Sequence, residues 1–212
     1  FQHRRFADLV DLIPPGDALV LNTTRVFRAR LLGLRDSGAP AEVFLLRPTG
    51  EPRQYEAMVH PGGKLHAGRV VHVAPGFDVM IEQVTERRTR IVRLVTEQAP
   101  DEAIEQHGHV PLPPYIHRGD AAPDVDRYQT VYARESGSVA APTAGLHFTT
   151  GLLDELNARG VRRIDLLLHV GAGTFKPVEV EDPSQHVMHS EHFEVTQSAA
   201  NDFNAVRDAG RK

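Results

Sequence analysis

The spacing of apolar positions changes several times along the chain, and each change marks an element. Phe6, Leu9, Val10 and Ile13 recur at helical spacing and stop at Pro14-Pro15-Gly16, which predicts a helix over Phe6 to Ile13. Ala18 to Asn22 is a short apolar run and reads as a buried strand. Its C-terminal end delivers Asn22, Thr23, Thr24 and Arg25, and strand ends are where sheets of α/β proteins usually bind ligands. The pattern then becomes short strands: Arg28–Arg35, Ala41–Arg47, Gln54–His60, Arg69–Ala74, Phe77–Thr85 and Thr89–Val95. Ser37-Gly38, Pro48-Thr49-Gly50, Pro61-Gly62-Gly63, Pro75-Gly76 and a charged turn at Glu86–Arg88 separate them. Strands this regular, with no helical pattern between them, predict a compact antiparallel barrel.

A helical piece at Asp101–Gln106 and the proline-rich Val110–Pro114 lead out of this region. Beyond Tyr115 the alternation is helix and strand again. Thr150–Arg159 reads as a helix, and Arg162–Leu168, with three consecutive leucines, as a strand buried on both faces. Glu191–Thr196 is a further strand, and Ser198 is placed to cap a last helix ending near Gly210. The loop Gly119–Asp126, rich in Asp and Ala, is expected to be the most mobile piece.

One stretch breaks these rhythms. Gly137 to Thr149 reads Gly-Ser-Val-Ala-Ala-Pro-Thr-Ala-Gly-Leu-His-Phe-Thr, almost all small residues until Leu146 and Phe148 flank His147. Thr149 can cap the helix that carries Leu152, Leu153 and Leu156, and Gly160 stands where a C′ residue belongs. A small-residue loop leading into a helix N-terminus lets a ligand approach the backbone. A tight crossing of two buried segments would need the same residues, so both readings stay open.

Composition narrows the chemistry. The 212 residues contain no cysteine, which removes disulfides, thiolate metal sites, iron–sulfur clusters and a cysteine nucleophile together. The net charge of −4 does not suit a protein that coats nucleic acid, so RNA binding would need local patches. Candidates are Arg25, Arg28 and Arg30, then Arg87, Arg88, Arg90 and Arg93, then Arg159, Arg162 and Arg163. No apolar run approaches membrane-spanning length and no signal-like segment opens the sequence, so the expected setting is the cytoplasm, with no membrane contact. Gly171-Ala172-Gly173 after a strand suggests a dinucleotide loop, but Lys176 stands where the third glycine belongs and Pro177 follows. His186, His189 and His192 beside Glu191 suggest a metal, yet the spacing is not that of a helical His-Glu-x-x-His site, and no metal is expected.

The order of residues from Gly137 to Thr149 closely resembles the signature of the S-adenosylmethionine:tRNA ribosyltransferase-isomerases of queuosine synthesis. Other stretches agree with that family, in its order. They are Pro15-Gly16-Asp17 leading to Leu21–Val26, Pro111–Ile116, Arg127–Tyr132, and Leu168–Phe175 continued by Lys176-Pro177-Val178 and by His186 to Glu191. The resemblance spans the chain. It implies an α/β fold in which a small all-β, Greek-key-like barrel, 28–114, is inserted into a larger mixed α/β domain, 1–27 and 115–212.

It also implies a reaction. The ribosyl part of S-adenosylmethionine, a co-substrate and not a bound cofactor, moves onto an aminomethyl-deazaguanine at the wobble position of tRNA. The sugar rearranges to an epoxycyclopentanediol, and adenine and methionine leave. A sulfonium acidifies the adjacent carbon, so a moderate base suffices, and an acid assists the departing adenine. Histidine suits both roles. His147 and His169, then His189 with Glu191, are the catalytic candidates. Asn22, Thr23 and Arg25 would hold polar groups of the substrates, and Tyr115 and Tyr128 would stack on bases of the anticodon loop. Pro142, Thr143, Ala144 and Gly145, with Gly171, Gly173, Thr174 and Phe175, would line the small-molecule site. A monomer is expected. Two alternatives remain: an RNA-binding barrel on a non-catalytic scaffold, and a methyltransferase, whose glycine-rich turn is missing. The family continues beyond the last helix with an apolar strand and has a further N-terminal segment. These residues are therefore expected to be part of a longer protein, with an exposed apolar sheet edge near the last helix.

Overall fold

The structure, a computed structural model, describes residues 2–175, 180–185 and 190–212. In chain order a 3-10 turn, Phe6–Asp8, runs into the short helix α1, Leu9–Leu12, followed by strands β1, Ala18–Asn22, and β2, Thr24–Val26. Next come β3, Arg30–Arg35, β4, Pro40–Pro48, β5, Gln54–His60, β6, Val70–Ala74, β7, Phe77–Val84, and β8, Arg90–Thr96. Helix α2, Pro100–His107, and the single turn α3, Asp124–Arg127, lead to strand β9, Glu135–Ser138. Helix α4, Thr150–Ala158, strand β10, Arg162–His169, strand β11, His192–Glu194, and helix α5, Gln197–Asp208, complete the order. Among the described residues no helix is long and apolar enough to cross a membrane.

Two compact units result. One is Val26–Asp124, where β3-β4-β5-β8-β7-β6 close into a barrel through antiparallel pairs. Alternation explains it: Val43 and Leu45 on β4, Phe77, Val79 and Ile81 on β7, and Val92 and Leu94 on β8 point inward and are fully buried. Closure leaves no edge strand. The loop Gly119–Asp126 is tied down, contrary to expectation. Asp120 accepts from Val110 N (3.0 Å) and bonds His109 Nδ1 (2.9 Å), while the buried Asp124 takes Arg118 through both oxygens and accepts from Ala121 N (2.8 Å). An Asp-rich loop is mobile only while its carboxylates lack partners.

The other unit holds the chain up to Arg25, from Val125 to Gly173, and the described residues 180–185 and 190–212. Its sheet has the order β1-β10-β11, parallel between the first two and antiparallel between the last. Val10, Leu21, Tyr132, Phe148, Leu156 and Val161 form the core under one face, with Phe6, Leu9 and Leu152 packed against it. The Thr149 hydroxyl accepts from Leu152 N at 3.2 Å and so caps α4, as the sequence predicts. The cap of α5 is Thr196, which accepts from Ala199 N, and not Ser198, which lies inside the helix. The leucines of β10 are only half-buried, a second departure: a strand is buried on both faces only when layers cover both, and here β11 is exposed throughout. Exposed apolar side chains stand at this sheet and its last helix, among them Val20, Phe193 at 68% and Phe203. The backbone after α5 reaches the free edge of β1, where Ala18 N donates to Lys212 O.

Candidate active site

Strands β1 and β10 end side by side, and a polar cluster forms there. The Asn22 amide donates to Leu168 O (2.9 Å) and accepts from Leu168 N (3.0 Å) and Thr24 N (3.1 Å). Thr23 is buried, with its hydroxyl on Leu166 O at 3.1 Å. Both side chains thus stitch the strand ends together, and their polar atoms are engaged within the fold. Thr24, to which the sequence assigned no role of its own, is fully buried and places Oγ1 2.8 Å from His169 Nδ1. Arg25 is exposed.

His169 is the centre of the cluster. On one side its ring meets Gly137, where an added Cβ would lie 2.6 Å from Cε1 and Nε2. On another it stacks against His192, with centroids 5.8 Å apart. Ser138 fixes the segment carrying Gly137: its hydroxyl accepts from Val170 N at 2.9 Å and donates to Ala140 O at 2.8 Å. Burial pushes the His169 pKa below the ordinary histidine value. The charge of His192 lowers it further, and Glu135 partly offsets both. Such an imidazole is neutral at neutral pH and competent to accept a proton. Glu191 joins the same strand end, accepting from Gly171 N at 2.9 Å.

The Gly137–Thr149 stretch divides between the two uses it could serve. Ser138, Val139, Ala140 and Ala141 are buried. Gly145 is glycine for packing, since a Cβ there would sit 2.2 Å from the Tyr132 hydroxyl. Pro142 is half-buried, while Thr143 and Ala144 are exposed on the 3-10 turn Thr143–His147. His147 is exposed, its ring 5.2 Å from that of Phe6.

Tyr115 is 71% exposed, whereas Tyr128 is 7% exposed, and burial of that degree leaves no face for a base. Gly171 precedes the short 3-10 turn Ala172–Phe175 and Gly173 lies in it, both half-buried, and Thr174 in that turn is exposed. His189, with His186, lies outside the described residues, as do Lys176 to Glu179. Among the described residues no group of three or more His, Asp or Glu side chains is placed to hold a metal ion. Thr24 and Gly137 are the contributors that spacing alone missed. The one available signal was that both lie inside stretches already singled out.

A closed antiparallel barrel, and a mixed sheet whose strand ends converge on a histidine of lowered pKa, define a class: an α/β protein that carries a small all-β barrel. Comparison with known proteins makes this specific. Residues 1–212 match the family model described as queuosine biosynthesis protein, and the chain belongs to that family. It is 49% identical to the S-adenosylmethionine:tRNA ribosyltransferase-isomerase of Symbiobacterium thermophilum, over 99% of this chain and 61% of that protein. For the enzyme of the same name from Syntrophomonas wolfei the identity is 47%, over 98% and 59%. For that of Staphylococcus haemolyticus it is 44%, over 100% and 62%. The chain thus spans about three fifths of the length of these relatives. A crystal structure of the S-adenosylmethionine tRNA ribosyltransferase of Thermotoga maritima aligns over 100% of this chain and 55% of its own, with a TM-score of 0.35 and 24% identity.

Proposed function

We propose that this chain is the part of an S-adenosylmethionine:tRNA ribosyltransferase-isomerase that carries the proton-accepting histidine. The observation supporting this most directly is the setting of His169. In the tautomer that gives Nδ1–H to Thr24 Oγ1, Nε2 carries the lone pair, and Gly137 places no Cβ against that edge of the ring. Nε2 takes a proton from the carbon beside the sulfonium, which the positive sulfur has acidified. The resulting carbanion is held by the adjacent charge while the ribosyl group transfers to the aminomethyl group of the tRNA base. His147, exposed on the same unit, donates the proton that departing adenine needs. Glu191 is the carboxylate that favours the sulfonium charge, and its bond to Gly171 N fixes the approach to the glycine-bearing turn. Tyr115 stacks on a base of the anticodon loop, and Arg25 meets its backbone. Epoxyqueuosine-tRNA, adenine and methionine are the products, formed without a bound cofactor, and the cytoplasm is the compartment.

The test is product analysis with the full-length enzyme, S-adenosylmethionine and substrate tRNA. Free adenine and methionine are expected. Appearance of S-adenosylhomocysteine instead would identify a methyltransferase, and tRNA binding without either product would leave an RNA-binding module on an inert scaffold.

A further inference from the structure

We propose that one end of the barrel, formed by the loops 61–69 and 85–89, is the surface that receives the phosphate backbone of tRNA. This rests on tRNA being the substrate. The two loops join β5 to β6 and β7 to β8, and a single side chain binds them together. The Arg90 guanidinium is buried, and it donates to Leu65 O (2.8 Å), Gly62 O (2.8 Å), Arg88 O (2.7 Å) and Thr89 O (3.1 Å). Its acceptors are carbonyl oxygens from both loops and not a carboxylate, so its charge adds to the field of this end. Leu65, fully buried, pins the longer loop to the barrel interior.

Around that clamp the exposed side chains are Lys64, His66, Arg69, Arg87 and Arg88, with Glu86 as the acid within these loops. Elsewhere on this unit Arg35 and Arg53 also take part in no ion pair among the described residues, but the other arginines have acidic partners, Arg118 with Asp124 (2.6 Å) among them. Arg30 pairs with Glu42 (2.9 Å), Arg28 with Glu105 (3.3 Å), Arg47 with Glu56 (2.9 Å), and Arg93 with Glu82. Among the described residues Lys64, Arg69, Arg87 and Arg88 take part in no ion pair. Unpaired cations therefore concentrate where Arg90 holds two loops rigid.

Arg88 adds an independent observation. It sits in the hairpin closed by Thr85 N to Thr89 O and Arg88 N to Thr85 O, both 3.0 Å, and its φ is +62°. Glycine or asparagine is the usual residue at that place, because an L side chain there is strained. A long cationic side chain kept at a strained, solvent-facing turn gains nothing from packing. Contact with an anionic partner explains it. Four cations on a fixed backbone match a polyphosphate chain, whose binding is driven by counterion release.

The experiment uses the full-length enzyme in which Lys64→Gln, Arg69→Gln, Arg87→Gln and Arg88→Gln are combined. Fluorescence anisotropy with labelled substrate tRNA is measured over a range of salt. The affinity is expected to fall at least about tenfold at low salt, and the slope of log K against log salt to shrink by about 3. S-adenosylmethionine affinity by calorimetry should be retained. Glu86→Gln alone should tighten tRNA binding. Unchanged tRNA affinity and slope in the combined variant, with wild-type enzyme turning over normally, would overturn this surface and leave the reaction standing. Wild-type enzyme that neither binds nor modifies tRNA would overturn both. Loss of binding to phosphatidylserine vesicles with tRNA binding unaltered would assign the patch to a lipid surface and refute the proposal.

Discussion

Replacing Gly137 by alanine adds one methyl group against His169. That methyl would start 2.6 Å from Cε1 and Nε2 and 2.9 Å from Cδ2. Carbon atoms rest at about 3.5–4.0 Å, so the ring must withdraw by about 1 Å. Withdrawal is opposed by the 2.8 Å bond from Nδ1 to Thr24 Oγ1 and by the stacked ring of His192. Overpacking of this kind costs about 1–3 kcal/mol, and the Gly137 φ of +154° adds backbone strain for alanine. For a protein of this size that is a fall of a few degrees in Tm. The effect on turnover should be larger. A reacting group displaced by about 1 Å loses about 100-fold in rate, which is about 2.7 kcal/mol of barrier. In addition, the new methyl covers Nε2, the atom assigned to accept the proton. The assay is adenine release at saturating S-adenosylmethionine and tRNA, run beside thermal melts and NMR of the His169 ring. Thr24→Val provides the contrast, because it removes the Nδ1 partner while leaving the Nε2 edge open. Turnover of Gly137→Ala within about twofold of wild type, with the His169 ring resonances unmoved, would refute the reasoning.

Other outcomes follow from the same structure. Because the folded pKa of His169 is depressed, the unfolded chain takes up the proton first, and the neutral ring contributes stability above about pH 6.5 that is lost as pH falls through the lowered value. Melting curves of wild type and His169→Asn should therefore converge on acidification, and a gap independent of pH would contradict the assigned environment. Leu156→Ala empties a buried position beside Val10, Leu21 and Phe148 and should cost about 2–5 kcal/mol, read as a lower urea midpoint with an unchanged m-value. A cost below about 1 kcal/mol would show that α4 packs loosely on the sheet.

The barrel was legible in the sequence because its information is local. Strand β5 is expected and found at Gln54–His60, and β7 is found one residue shorter than predicted, since alternation and turn residues set both ends. The sheet unit was harder. Burial of β10 depends on what covers it, which no run of leucines reveals, and Thr196 and Ser198 are equally good caps until the backbone chooses one. The site was legible only in part. His169 stood out by its neighbours in sequence, but its contact with Thr24 joins positions 145 residues apart. Tyr128 shows the opposite failure: an aromatic residue carries no mark of whether it faces a base or a core. Asn22 and Thr23 were recognised as polar residues at a strand end, while the use of their polar atoms in holding that end together was invisible.

Asn22 acts as a surrogate peptide unit. Parallel pairing of β1 with β10 reaches Asn22 opposite Leu166, and beyond it a further residue of β1 would normally serve the N–H and C=O of Leu168. The carboxamide does this instead, offering one donor and one acceptor just as a main-chain amide would. The main chain is thereby released to turn away toward Thr24 without orphaning polar groups on its neighbour. Divergence of two strands ordinarily exposes unpaired backbone, yet here a side chain closes the ladder and the strands open at no loss of hydrogen bonds. Aspartate, though the same shape, lacks the donor, and leucine lacks both. The requirement for asparagine at this position therefore arises from the forking of the sheet itself and would hold even if no substrate ever touched it.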